Sequence, residues 1–236
     1  MTNITILGGG RLGRAIEAAL IEAGHPPPHV VRRPEAGRHD PAALGEPDVL
    51  VDASSGPAVV ANVEAALAAG SRRLVLAATG WEAERGAVEQ AIRTAAAAAV
   101  VAPNLSLGAA AFLRLVDRAA ALLGALDGFD PYVVEWHRRG KRDRPSGTAR
   151  EIVRRLGTEV EVASVRAGSS PGMHLVGFDS PGETIELHLT ARDRSTYGAG
   201  ALAAVDWLLR EPRRPGLHPF DAIVDDLFTR PLAATA

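Results

Sequence analysis

Residues 3–13 read Asn3-Ile4-Thr5-Ile6-Leu7-Gly8-Gly9-Gly10-Arg11-Leu12-Gly13, an apolar run that enters a glycine turn and then an amphipathic stretch reaching about Ala23. The order predicts a buried strand, a tight turn and a helix. Glycines at Gly8 and Gly10 let a backbone approach a pyrophosphate, and Gly13 lets strand and helix pack closely. The helix N-terminus then faces the phosphate, because its first amides have no intrahelical partner. Gly8, Gly10, Arg11, Leu12 and Gly13 are therefore expected to hold a dinucleotide.

Working outward, further short strands are expected at Val30–Val31, Val49–Asp52, Leu74–Ala77 and Ala99–Val101, with helices at Pro57–Ala69 and Glu82–Ala96. Alternation of this kind predicts a Rossmann-type parallel sheet covered on both faces. Ligands of such sheets lie beyond the carboxyl ends of the strands, which nominates Ala77, Thr79, Pro103 and Asn104 to flank the reactive ring of the cofactor. After the second strand comes Val31-Arg32-Arg33-Pro34, with no acid before Glu35. Cations there suit a 2′-phosphate, so Arg32 and Arg33 predict NADPH, with NADH possible because Glu35 is near.

The pattern changes after Asn104. A long helix at Leu107–Leu123 is followed by a strand at Tyr132–Trp136, a loop, a helix from Thr148 and strand-like runs near 160–166, 173–179 and 184–191. This predicts a second, α+β domain with an open mixed sheet. The expected division is 1–106 for the dinucleotide, 107–197 for substrate and oligomerisation, and about 198–236 returning to the first domain. That return comprises a helix from Gly198 to Leu209 and a Pro-rich connector at Pro212–Pro219. The alanines of 94–99 read as a helix end.

Bulk properties narrow the partners. A formal net charge of -2 and 23% charged residues give no field that would gather nucleic acid or an anionic membrane. With no cysteine there is no disulfide, thiolate metal site or cysteine nucleophile, and no metal is expected. No apolar run reaches the roughly 18 residues of a membrane span, and the N-terminus lacks a basic leader. A cytoplasmic protein acting on small molecules is expected.

Of 26 basic residues only one is lysine. It is Lys141, within Glu135-Trp136-His137-Arg138-Arg139-Gly140-Lys141-Arg142-Asp143-Arg144-Pro145-Ser146-Gly147-Thr148. Where positive charge alone is wanted this chain uses arginine, so Lys141 points to chemistry that guanidinium cannot supply: a compact ammonium able to give up a proton. His137 lies four residues earlier, at a strand end, and both can turn toward one site. Ser146 or Thr148 can cap the next helix, leaving the amides of Gly147 and Thr148 for a carboxylate. Asp143 reads as an Asx turn.

The block Lys141 to Thr148 resembles the K-x-D-x-P-S-G-T signature of the 4-hydroxy-tetrahydrodipicolinate reductase (dihydrodipicolinate reductase) family. The likeness extends to the Gly8–Gly13 turn, Asp52-Ala53-Ser54, Ala77-Ala78-Thr79-Gly80, Ala102-Pro103-Asn104 and Glu186–Arg192. It implies NAD(P)H-dependent reduction of a cyclic imine dicarboxylate in lysine and diaminopimelate synthesis, and a homotetramer built through the sheet of the second domain. It also places His137 where the family has its general acid, and Lys141 where it has a second proton donor that binds carboxylate. The residues themselves do not apportion the two roles.

Three departures stand at the site. Arg138 replaces a second histidine and can grip a carboxylate bidentately. Ala77-Ala78-Thr79-Gly80 replaces Gly-Thr-Thr-Gly, and Asp52-Ala53-Ser54 replaces Asp-Phe-Thr. They leave two alternatives: a reductase of another imine or 2-oxo dicarboxylate, and a non-catalytic dinucleotide sensor. His174 and His188 read as packed or interface histidines.

Overall fold

The computed structural model describes residues 2–32, 38–193 and 195–228. Arg33 and Glu35, named above for cofactor choice, lie outside the described residues. The chain divides into one unit formed by Met1–Leu107 with Arg194–Ala236, and a second formed by Gly108–Asp193.

The first unit contains β1 (Ile4–Leu7), α1 (Arg11–Glu22), β2 (His29–Val31), β3 (Val49–Asp52), α2 (Val59–Ala68), β4 (Arg73–Leu76), α3 (Arg85–Thr94) and β5 (Ala98–Val101). All strand pairings of its six-stranded sheet are parallel. β1 and β3 are buried at every position, as expected of strands covered on both faces, whose side chains all have to be apolar or satisfied. Leu7, Leu50, Leu74 and Leu76 join Val59, Val63 and Ile92 in its core, each such side chain contributing roughly 1.5–3 kcal/mol by leaving water.

The second unit contains α4 (Leu107–Leu123, whose first residue belongs to the first unit), β6 (Asp130–His137), α5 (Gly147–Leu156), β7 (Glu161–Arg166), β8 (Met173–Asp179) and β9 (Thr184–Thr190). Its strands run in the order β7-β6-β8-β9; β6 and β7 are parallel, and the other pairs are antiparallel. Phe112 and Val116 of α4 and Ala149 and Ile152 of α5 pack on Val133, Val176 and Phe178. Alternation along each strand therefore divides the sheet. Val133, Glu135 and His137 share one face, while Trp136 and Val165 reach the other and are exposed. Tyr132 lies over Gly177, where any side chain would collide with its ring.

The chain then forms α6 (Ser195–Arg210), β10 (Gly216–Pro219) and α7 (Phe220–Phe228). The Pro-rich segment is thus more than a connector: β10 adds to the sheet beside β5. As an edge strand it tolerates Pro219, and its four residues were too short to show alternation. The alanine run is also divided differently from its reading. The α3 helix ends at Thr94, Ala96 turns with φ +51°, and Ala98 and Ala99 belong to β5.

Gly13 is fixed by packing: a Cβ there would strike the carbonyl oxygen of Gly8. Gly13→Ala should therefore lower stability by about 1–3 kcal/mol through overpacking. Urea unfolding measures this, and an unchanged midpoint would contradict the packing assigned to the turn.

Candidate active site

In the first unit a cavity of about 590 Å³ is lined by Gly10, Arg11 and Leu12, by Ala53–Pro57, and by Ala77–Thr79. These are the ends of β1, β3 and β4, so the glycine turn and the carboxyl ends of neighbouring strands meet as the parallel sheet requires. Gly8 has φ +107°, and a side chain there would press on the Ala53 carbonyl. Gly10 is the N-cap of α1 and has open space where a Cβ would stand. An exposed glycine before unpaired helix amides fits a pyrophosphate. Arg32 is exposed at the end of β2, its side chain beside Gly9. Pro103 and Asn104 are exposed after β5 but do not line this cavity; the Asn104 carboxamide accepts from the Ser106 amide at 3.0 Å. A second cavity, of about 450 Å³, is bordered by Ala15, Ala18, Ala19 and Ala199 with Glu22, Ser195 and Thr196; it offers an acid and no cation to a phosphate.

Beneath the first cavity lies Asp52, completely buried. It accepts from the Ser54 amide at 3.0 Å and hydroxyl at 2.5 Å, and from Asn62 at 3.0 Å. Burial raises its pKa, opposed by those donors and by His39. The network fixes Ser54 at the cavity wall. Gly56 is equally constrained, since a side chain would meet the carbonyls of Thr79 and Gly80.

The second unit gathers its polar groups around Glu135, which has no exposed surface. Its Oε1 accepts from Ser164 at 2.6 Å, Arg166 at 2.7 Å and the Ser146 amide at 3.0 Å. Its Oε2 is 3.1 Å from the Ser146 amide and faces His137 Nδ1 at 3.4 Å. Burial pushes the carboxyl upward, but donors from Ser146, Ser164 and Arg166 outweigh it and hold the pKa down to about 2. Arg166 also donates to the Asp143 carbonyl at 2.6 Å. One ion pair therefore grips the Lys141 loop at both Asp143 and Ser146.

His137 ends β6 and is buried. Burial lowers its pKa, with Lys141 and Arg166 acting the same way and Glu135 and Asp143 opposing. Lys141 Nζ pairs with Asp143 at 2.8 Å. Asp143 is therefore a partner of the lysine and not an Asx turn, since Pro145 two residues on has no N–H to donate; the ammonium and the Gly147 amide draw its pKa down. Ser146, not Thr148, caps α5, its hydroxyl accepting from Ala149 at 3.2 Å. Gly147 and Thr148 open that helix, and Arg138 is exposed at the start of the loop.

Of the packed and interface readings of His174, the structure has the packed one: the residue is buried, 3.1 Å from the Ser146 hydroxyl, its ring centroid 5.1 Å from that of His137. Burial first, then the neighbouring His137, lowers its pKa to about 4. Glu135, His137 and His174 bring potential ligand atoms within 4.8 Å of one another. Arg166, however, already sets a permanent cation on the Glu135 carboxylate, and the trio is better suited to holding protons than to holding a metal. Glu135, Ser164 and Arg166 had not been singled out as site residues. Their signal was polar side chains on the inward face of alternating strands; Asn62 left a similar signal on α2.

These features define the class: a Rossmann-type dinucleotide-binding protein with an appended α+β unit in which a buried histidine faces a buried carboxylate. Known proteins specify it further. The family model for the dihydrodipicolinate reductase N-terminus matches residues 2–105, and that for its C-terminus matches residues 108–223. The 4-hydroxy-tetrahydrodipicolinate reductase of Methanosarcina barkeri is 32% identical over 197 residues, 75% of this chain and 73% of that protein. That of Methanoregula boonei is 33% identical over 201 residues, 77% and 76% of the two chains. The dipicolinate-bound dihydrodipicolinate reductase of Paenisporosarcina sp. TG-14 shares the fold, with a TM-score of 0.74 over 93% of this chain and 98% of that one at 18% identity. The chain belongs to the dihydrodipicolinate reductase family.

The depressed pKa of His174 gives stability a pH dependence. The unfolded histidine takes up a proton near 6.5, which the folded one resists until about 4, so its contribution is complete above 6.5 and is lost as pH falls through this window. The full effect is on the order of 3 kcal/mol. Wild type should lose more unfolding free energy than His174→Asn between about pH 7.5 and 4.5; equal losses would contradict the buried neutral imidazole.

Proposed function

We propose that this chain is an NAD(P)H-dependent 4-hydroxy-tetrahydrodipicolinate reductase, forming tetrahydrodipicolinate in lysine and diaminopimelate biosynthesis. The observation that carries the reading is His137, a histidine set against a buried carboxylate and followed by the sole lysine and a helix N-terminus, in a chain of this family. The first unit, residues 1–106 with about 198–236, binds the dinucleotide through Gly8–Gly13, Ala77 and Thr79, with Pro103 and Asn104 near the nicotinamide. Residues 107–197 bind the dicarboxylate and form the oligomer.

The bound dihydronicotinamide supplies a hydride to the conjugated ring of the substrate. The electron pair displaced from the ring double bond leaves an enamine-like anion, and His137 or Lys141 donates the proton that completes the reduced ring. Lys141, Arg138 and the Thr148 amide hold carboxylate and stabilise the charge that develops, the Gly147 amide being engaged by Asp143. Lys141, paired with Asp143 at 2.8 Å, shares the acid role with His137. NADPH serves at least as well as NADH, the cations Arg32 and Arg33 suiting a 2′-phosphate. The protein acts in the cytoplasm. It forms a homotetramer through the sheet face of Val134, Trp136 and Val165, which lies opposite the helix-covered Val133–His137 face. Arg138 in place of histidine favours a second reading, a related reductase for a different imine dicarboxylate.

The test is NADPH and NADH oxidation with substrate generated in place by a dihydrodipicolinate synthase. Synthase-dependent turnover is expected, at least as good with NADPH as with NADH. Lys141→Ala should lower it by roughly 10²-fold or more, and Lys141→Arg should not restore it, because guanidinium lacks the compact ammonium geometry. Tight nucleotide binding without turnover would move the assignment to another dicarboxylate or to a sensor.

A further inference from the structure

We propose that Glu135 is the positioning residue of a proton donor: it holds the His137 ring through Nδ1 so that only Nε2 exchanges a proton with substrate. The proposal rests on the reading of His137 as an acid. Three observations carry it.

The first is the direction of the ring. Nδ1 is buried and without a hydrogen-bond partner among the described residues; the Glu135 carboxylate oxygen Oε2 stands 3.4 Å from it, an electrostatic contact and not a formed hydrogen bond. An ionised carboxylate only accepts, so a bare Nδ1 lone pair opposite it would be repelled. The proton of the neutral ring therefore sits on Nδ1, and Nε2 carries the lone pair.

The second is the state of the carboxylate. Ser164, Arg166 and the Ser146 amide converge on Glu135, which stays an anion whatever His137 does. It can orient the ring and favour the imidazolium without taking the proton itself, as the buried aspartate does in hydrolase triads. The third is the space beyond Nε2. Gly172 has φ +138°, and a Cβ there would stand 3.3 Å from Nε2 and from the adjacent ring carbon. A glycine in a conformation few other residues adopt thus keeps the working nitrogen clear.

The charges around His137 come from every side. Glu135 stands on its own strand, Lys141 and Asp143 on the loop, Arg166 on β7 and His174 on β8. Glu135 and Asp143 favour the protonated ring, while Lys141 and Arg166 oppose it. Removing the Glu135 charge leaves burial and the cations in control, and a proton is then held less well.

Two measurements test the proposal. Nitrogen-15 NMR of the wild-type protein above the His137 pKa should show the Nδ1–H tautomer; the Nε2–H tautomer would overturn the proposal. This readout needs no substrate, so it stands apart from the choice of reaction. In Glu135→Gln, kcat should fall by about 10-fold or more, within the ~10²–10⁴-fold that a positioned proton donor contributes, with KM changing less. The limb of the kcat/KM profile belonging to His137 should move to lower pH. A folded Glu135→Gln protein with an unmoved limb and unchanged kcat would also overturn the proposal. If that variant does not fold, the wild-type tautomer decides alone.

Discussion

A carboxylate with no exposed surface needs partners for its lone pairs, and Glu135 meets that requirement with Arg166, Ser164 and the Ser146 amide. An unpaired charge in such a place would cost several kcal/mol. The constraint explains most of the second unit's site. Because Arg166 also reaches the Asp143 carbonyl, the loop between His137 and Ser146 is tied down near its end, and Lys141 is carried on a short tether. Because Ser146 is held by its amide, its hydroxyl is left to cap α5 and meet His174. Stability and chemistry thus draw on the same buried pair.

The first unit solves a related problem without an arginine. Asp52 is as buried as Glu135, but its donors are a hydroxyl, an amide and the carboxamide of Asn62. The two carboxyls respond in opposite directions, one raised and one lowered. Burial dominates at Asp52, whereas at Glu135 the hydrogen bonds from Ser146, Ser164 and Arg166 together outweigh it. A carboxyl without an ion pair beneath a phosphate site adds less fixed negative charge where an anion has to bind, whereas the ionised Glu135 suits a site that must attract a proton and hold a cation.

Much of this was legible in the residues. The glycine turn, the alternation of strands and helices and the change of pattern after Asn104 follow from local periodicity, which a parallel sheet writes plainly. The signature block located the loop and its lysine. What escaped was what depends on pairing between distant strands. Arg166 meets Glu135 only because β6 and β7 lie side by side with Glu135 opposite Ser164, and no local spacing encodes that register. β10 was hidden for a similar reason, being an edge strand too short to show a pattern. The choice of cap was also undecided locally; burial of Ser146 against His174 settled it.

The most direct test of this account is a double-mutant cycle of Glu135→Gln and Arg166→Met, read by chemical unfolding at neutral pH. Each single change should cost about 3–5 kcal/mol, because it strands the other charge in the interior. The double variant should cost far less than the sum. Costs that simply add, within about 0.5 kcal/mol, would mean that the pair is not the coupled anchor on which the loop, the helix cap and His137 depend.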